Sequence, residues 1–133
     1  MADWRAVIGD APGSDAPTLI TGARQDSEIV QQEVFGPVLT IQTFTTEEEA
    51  IALANSTDYG LSGILFTTDA ARADRVGRAV RAGTFWVNCF LVRDLTAPFG
   101  GAGISGIGRE GGDYALDFYS DLKMFQVLDG TVR

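Results

Sequence analysis

Apolar positions between residues 38 and 87 follow two rhythms in turn. Residues 38–44 (VLTIQTF), 61–67 (LSGILFT) and 84–87 (TFWV) are short runs of β-branched, aliphatic and aromatic residues, the make-up of pleated strands. Two stretches of helical spacing separate them. Thr46 followed by Glu47, Glu48 and Glu49 is a capping box. It opens a helix to about Asn55, with Ala50, Leu53 and Ala54 on one face. Asp69 caps a second helix, over about residues 70–81. There Ala73, Val76 and Val80 recur on one side, while Arg72, Arg75 and Arg78 face elsewhere. Arg78 and Arg81 suit the negative end of that helix, and Gly83 closes it. Strand, helix, strand, helix, strand predicts two right-handed crossovers and a parallel sheet with helices packed on it.

The flanks are less regular. Residues 1–16 show no clear period, and Pro12, Gly13, Ser14 and Asp15 mark a loop, so they read as a leader. Residues 17–22 suit a short extended segment. Residues 26–30 (DSEIV) suit one or two helical turns, given their cap residues and early acid. Gly36 and Pro37 force a tight entry into the strand at 38–44. Beyond residue 112, a short helix is expected over 113–119, with Tyr114 and Phe118 on one side. A last strand is expected over 122–128 (LKMFQVL).

Composition narrows the function. The 133 residues are 45% hydrophobic and 21% charged, the balance of one globular domain able to bury a core. A net charge of −8 repels phosphate, which argues against nucleic acid and anionic membrane as partners. No apolar run is long enough to span a bilayer, and residues 1–16 lack a signal-peptide pattern. The single cysteine allows no internal disulfide and suits the cytoplasm. The absence of histidine excludes a Ser-His-Asp triad, a Cys-His pair and histidine-ligated metal within these residues. No metal site is expected.

Candidate chemistry gathers between residues 83 and 112. After the strand at 84–87, Asn88, Cys89, Arg93 and Asp94 interrupt an otherwise apolar loop, and a glycine-dense run follows. Ligands of open α/β sheets sit beyond the carboxyl ends of strands. Cys89 is the obvious nucleophile. Nothing basic near it in sequence would form the thiolate, so a buried or pocket-lining thiol is the better reading. Residues 101–106 (GAGISG) fit G-x-G-x-x-G but neither follow a strand directly nor open a helix, so a tight loop of unusual backbone angles is favoured over a phosphate cradle. Arg93 among apolar neighbours offers a forked donor for a carboxylate, or pairs locally with Asp94. Glu33, before Phe35-Gly36-Pro37, is either a functional carboxylate beside an aromatic face or a solvated turn residue.

Several segments taken together resemble the C-terminal part of the NAD(P)-dependent aldehyde dehydrogenase family. They are residues 33–38 (EVFGPV), 55–60, 83–88 (GTFWVN), 98–101 (PFGG), Ser105-Gly106 and 108–111 (GREG). The likeness runs from about residue 17 to 127, in order and at family spacing. Residues 92–95 (VRDL) through 108–112 look most similar to the hydroxymuconic semialdehyde dehydrogenases, which oxidise semialdehydes from aromatic ring cleavage. The resemblance implies part of a parallel α/β catalytic sheet with flanking helices over residues 17–133. Residues 1–16 match nothing in the family. It also implies a last strand that pairs with a neighbouring subunit.

The family's chemistry is hydride transfer from a thiohemiacetal to a nicotinamide, then thioester hydrolysis. By resemblance, Glu33 would hold the nicotinamide ribose and Phe35 would pack by the nicotinamide of NAD or NADP. Asn88, Cys89 and Phe90 would line the aldehyde pocket, and Arg93 would bind a substrate carboxylate. The family's nucleophilic cysteine, general-base glutamate and dinucleotide-binding fold have no counterpart in these 133 residues, and Gly103 stands where the family usually carries lysine. No catalytic residue is therefore assigned. The expectation is a dehydrogenase C-terminal segment, inactive alone, whose partner is a missing N-terminal half or a second copy. The alternative is a non-enzymatic assembly module that self-associates through sheet edges and uncovered apolar surface.

Overall fold

A computed structural model describes residues 5–8 and 16–128. The elements in order are β1 (Arg5–Ile8), β2 (Thr18–Thr21), α1 (Glu28–Gln31), β3 (Val38–Ile41), α2 (Glu47–Ala54), β4 (Ser62–Leu65), α3 (Ala70–Ala79), β5 (Thr84–Val87) and α4 (Tyr114–Tyr119). A 3-10 turn, Gly103–Ser105, lies between β5 and α4. Each predicted helix is present, slightly shorter than its sequence pattern. The strands at 38–44 and 61–67 keep only their first or central residues.

The α/β class and its parallel pairing hold, but the sheet is in two pieces. β2 runs parallel to β3 with Thr18 opposite Val38, and β1 adds antiparallel to β2 with Arg5 opposite Thr21. β4 runs parallel to β5 with Ser62 opposite Thr84 and Leu65 opposite Val87. The expected neighbours β3 and β4 do not pair among the described residues. Alternation sets which face of a strand is apolar, not which strand lies beside it. Only the second expected crossover, β4-α3-β5, closes within one sheet. Part of the supposed leader is β1, while its predicted loop at residues 12–15 lies outside the described residues. No strand forms over residues 122–128, which carry neither helix nor strand.

Helix entries follow their cap residues. The Thr46 hydroxyl accepts from the Glu49 N–H, and the Glu49 carboxylate reaches back to the N–H and hydroxyl of Thr45. Asp69 accepts from the N–H groups of Ala71 and Arg72. The two helices are tied at both ends. At the start of α2, the Glu47 carboxylate accepts from Arg72 Nε at 3.0 Å and Arg75 Nε at 2.9 Å. At its end, Asn55 donates to the Ala79 carbonyl and accepts from the Arg81 N–H. α3 packs on β4 and β5 through Phe85. A Cβ at Gly63 would stand 2.6 Å from that ring, so a larger residue there would force Phe85 to shift.

The glycine-dense run is the expected tight loop. Gly103 has φ +59°, and a Cβ there would collide with the Asp58 carbonyl. The N–H groups of Ala102 and Ile104 donate to the carbonyls of Gly60 and Asp58, and Ser105 Oγ accepts from the Gly60 N–H at 3.0 Å. The N–H groups of Ala102 and Ile104 are thereby spent on carbonyls within the fold. Among the described residues only Ile20, Ala23 and Trp86 are buried hydrophobic side chains, a small core for a chain of this composition.

Hydrogen bonds from Arg75, then Arg72, hold the Glu47 carboxyl below its ordinary range. A carboxyl held low in the folded state contributes stability that is whole above its unfolded value and is lost as pH falls through its folded value. Glu47→Gln is expected to lower stability at neutral pH and to flatten the loss on acidification through and below the carboxylate range. Circular dichroism at stepped pH measures both. An unchanged acid slope would remove Glu47 as the clamp between α2 and α3.

Candidate functional site

Both strands of the second sheet stop at one side chain. Asn88 follows β5 with φ +55°, a left-handed turn that asparagine tolerates better than most residues. Its Oδ1 accepts from the Thr67 N–H and its Nδ2 donates to the Thr67 carbonyl, both at 2.8 Å. Its main-chain N–H meanwhile donates to the Leu65 carbonyl at 2.8 Å. The amide is thus spent on the backbone just beyond β4.

The loop launched there is held by the core. Trp86 is buried, and its indole Nε1–H donates to the Val92 carbonyl at 2.8 Å. Phe90 meets the same indole edge-on, with ring centroids 5.9 Å apart. Leu91 takes a second left-handed turn, φ +56°. Leucine in that region costs about 1–2 kcal/mol, and such strain clusters where surroundings fix a loop for a task. Cys89 is half-buried.

Arg93 lies against Phe99 and Glu110. Its Cζ stands 4.6 Å above the Phe99 ring centre, and its Nη2 donates to Glu110 Oε1 at 3.3 Å. The local pair with Asp94 does not form. Asp94 Oδ1 accepts from the Thr96 hydroxyl at 2.6 Å and the Thr96 N–H at 2.9 Å, which holds its carboxyl below the ordinary range. Phe99 and Glu110 exchange backbone hydrogen bonds of 2.7 and 2.8 Å. The neighbouring Arg109 turns its Nη1 onto the carbonyls of Gly101 and Gly108. Phe99 and Glu110 were visible in sequence only as members of two glycine motifs. Their contact with Arg93, which spans 17 residues to Glu110, carries no local signal.

The other two predicted residues lie elsewhere. Glu33 lines a cleft of about 630 Å³ whose walls include Phe44, Ile51, Tyr59 and Val80. Its N–H donates to the Tyr59 hydroxyl at 3.3 Å, and no contact of its carboxylate is recorded among the described residues. Phe35 is 95% exposed. None of Asn88, Cys89, Phe90 and Arg93 lines that cleft. The structure therefore groups Asn88 to Arg93 beyond β5 and places Glu33 at a separate opening. The described residues contain no cluster of histidine, cysteine and acidic side chains suited to a metal ion.

The profile of the aldehyde dehydrogenase family matches residues 13–125. A 2-aminomuconic 6-semialdehyde dehydrogenase of a Pseudomonas species is 50% identical over 106 residues, covering 80% of this chain and 22% of the relative. The 2-hydroxymuconic semialdehyde dehydrogenase of Pseudomonas putida is 50% identical over 107 residues, with the same coverage. Among solved structures, PnpE from Pseudomonas sp. WBC-3 has a TM-score of 0.82 and 37% identity, over 90% of this chain and 26% of that one. Betaine aldehyde dehydrogenase of Staphylococcus aureus in complex with NAD+ gives 0.81 and 43%, over 88% and 25%. The chain spans about a quarter of the length of the curated relatives it matches.

Replacing Asn88 by aspartate keeps an acceptor for the Thr67 N–H and sets a carboxylate oxygen against the Thr67 carbonyl. Asn88→Asp is expected to destabilise the chain by about 1 kcal/mol, measured by urea unfolding. Unaltered stability would show that the clamp does not hold the strand ends.

Proposed function

The chain belongs to the aldehyde dehydrogenase family, and on that footing we propose that it forms part of the pocket wall of an NAD(P)-linked semialdehyde dehydrogenase. The reaction is oxidation of an aldehyde to a carboxylate. The observation that supports a charged semialdehyde is the posture of Arg93. One amino group of its guanidinium meets Glu110, one face lies on Phe99, and the side chain remains 48% exposed. Its other N–H groups are available to a ligand. A muconic semialdehyde carries a carboxylate at the end opposite its aldehyde. A guanidinium fork matches a carboxylate, and one charged hydrogen bond contributes about 1.5–3 kcal/mol.

The remaining residues take roles around that anchor. Asn88 shapes the pocket by fixing the turn after β5. The Cys89 thiol and the Phe90 ring line the aldehyde side. Glu33 and Phe35 suit a nicotinamide nucleotide: a carboxylate to accept from ribose hydroxyls, and an exposed ring two residues on to shield an apolar face. When bound, that cofactor takes up the hydride released by the substrate carbon. Cys89 is a wall residue here, with neither histidine nor general base to activate it. The reacting thiol, the base and the dinucleotide-binding fold come from polypeptide other than these 133 residues. A cytoplasmic setting suits such a cofactor and a free thiol. Within the described residues no helix is long and apolar enough to cross a membrane.

A second, compatible reading is self-association. Phe66, Met124 and Phe125 are 72%, 79% and 81% exposed, and among the described residues β3 and β4 each pair on one side only. Apolar faces and open strand edges of this kind favour burial against another chain. Residues 122–128 are the proposed pairing strand toward a neighbouring subunit.

Two measurements test these readings. The chain by itself, given 2-hydroxymuconic semialdehyde and NAD+, is expected to produce no NADH above background. Turnover would place a nucleophile within these residues and overturn the assignment of roles. Light scattering at micromolar concentration is expected to return a mass above that of a single chain, and a monodisperse monomer would exclude the assembly reading.

A further inference from the structure

Arg93 meets two side chains that are themselves locked to one another. Phe99 and Glu110 face each other across an isolated antiparallel bridge and exchange both N–H···O bonds. Directly opposed residues in such a pair present their side chains on the same side. Here both engage one guanidinium, the ring beneath it and the carboxylate at one amino group. The bridge is buttressed on either side. The Gly112 N–H donates to the Leu95 carbonyl, and Arg109 spans the carbonyls of Gly101 and Gly108.

The ion pair is too exposed to serve as a stability device. Its two side chains are 48% and 56% exposed and its contact is long, 3.3 Å, a class of pair that contributes little to folding. What the arrangement does is orient. An arginine fixed on one face and at one amino group presents the rest of its planar fork in a set direction. Ordering that long side chain before a ligand arrives removes a cost otherwise met on binding.

We propose that Phe99 and Glu110 are positioning residues that hold the Arg93 guanidinium as a preset carboxylate-binding fork. This rests on the carboxylate reading of Arg93 given above. Glu110 acts through geometry and against its own charge: a nearby carboxylate repels an incoming one, so Glu110 aids binding only if placement outweighs repulsion.

The test is nuclear magnetic resonance of the 15N-labelled chain, with the Arg93 Nε–H signal assigned through Arg93→Lys and muconate as the probe. In the unaltered chain muconate is expected to shift that signal, and its neutral diamide is not. In Glu110→Ala the midpoint for muconate is expected to rise roughly three- to tenfold, the scale of ordering one long side chain. Glu110→Gln, which keeps an acceptor oxygen, is expected to restore it. The amide signals of Phe99 and Gly112 report whether the bridge survives. If it does not in Glu110→Ala, Phe99→Leu supplies the same comparison, with weaker binding expected. Binding as tight or tighter in Glu110→Ala, or unchanged in Phe99→Leu, would overturn the cradle while leaving Arg93 as a carboxylate ligand. No response of Arg93 in the unaltered chain would instead overturn the carboxylate reading itself.

Discussion

The amide of Asn88 closes on both polar groups of Thr67, and the geometry beyond β5 depends on that closure. A parallel pair has no hairpin turn to end it, so something else must stop the two strands in step. Here one side chain satisfies the N–H and the carbonyl just past β4 while its own backbone turns left-handed out of β5. The loop then begins at a fixed point with a fixed direction. Trp86, one residue before the end of β5, ties the far side of the loop through the Val92 carbonyl. Arg93 is the next residue, so its position is set by a turn at one end and by a buried indole at the other.

That local order contrasts with the thinness of the core. Parallel strands are usually covered on both faces, yet Leu39 in β3, and Phe44 and Phe66 just beyond β3 and β4, are more than half exposed. Ion pairs and caps do much of the holding instead. Glu47 draws Arg72 and Arg75 onto α2, and Asn55 joins the far ends of the same helices. Such contacts fix one helix against another without removing much apolar surface from water. A side chain pattern written for burial but left open agrees with the proposal that this segment works against another surface. The layout it shares with chains about four times longer points the same way.

What sequence made legible was local. The capping box at Thr46 and Glu49 and the cap at Asp69 form as their spacing implies, with the Glu49 carboxylate making its main contacts one residue further back, to the N–H and hydroxyl of Thr45. The glycine-dense run is a tight loop because Gly103 adopts a conformation that side chains resist. What failed was pairing. β3 has the composition of a central strand, but composition is silent on whether its neighbour is β2 or β4. Residues 122–128 carry a strand's apolar content yet are neither helix nor strand, because apolar content alone does not decide secondary structure. The site divided along the same line: the loop residues of interest were visible, while the contact of Arg93 with Glu110 joins positions with no periodic relation.

Arg93 and Arg109 show how little residue type decides. Both lie near the same bridge, Arg93 among apolar neighbours and Arg109 among glycines, and both carry a fork of five donors. Arg109 is partly buried and spends one amino group on two backbone carbonyls, which makes it a brace for the turn. Arg93 takes a single long contact to a carboxylate and rests on a ring, which leaves donors unspent. A brace would be expected to saturate its donors on backbone, where each bond removes an unsatisfied carbonyl. A guanidinium kept in one orientation and left partly unsatisfied stabilises little by itself. Its arrangement becomes economical only when a further acceptor completes it, and a carboxylate is the acceptor whose geometry matches the fork.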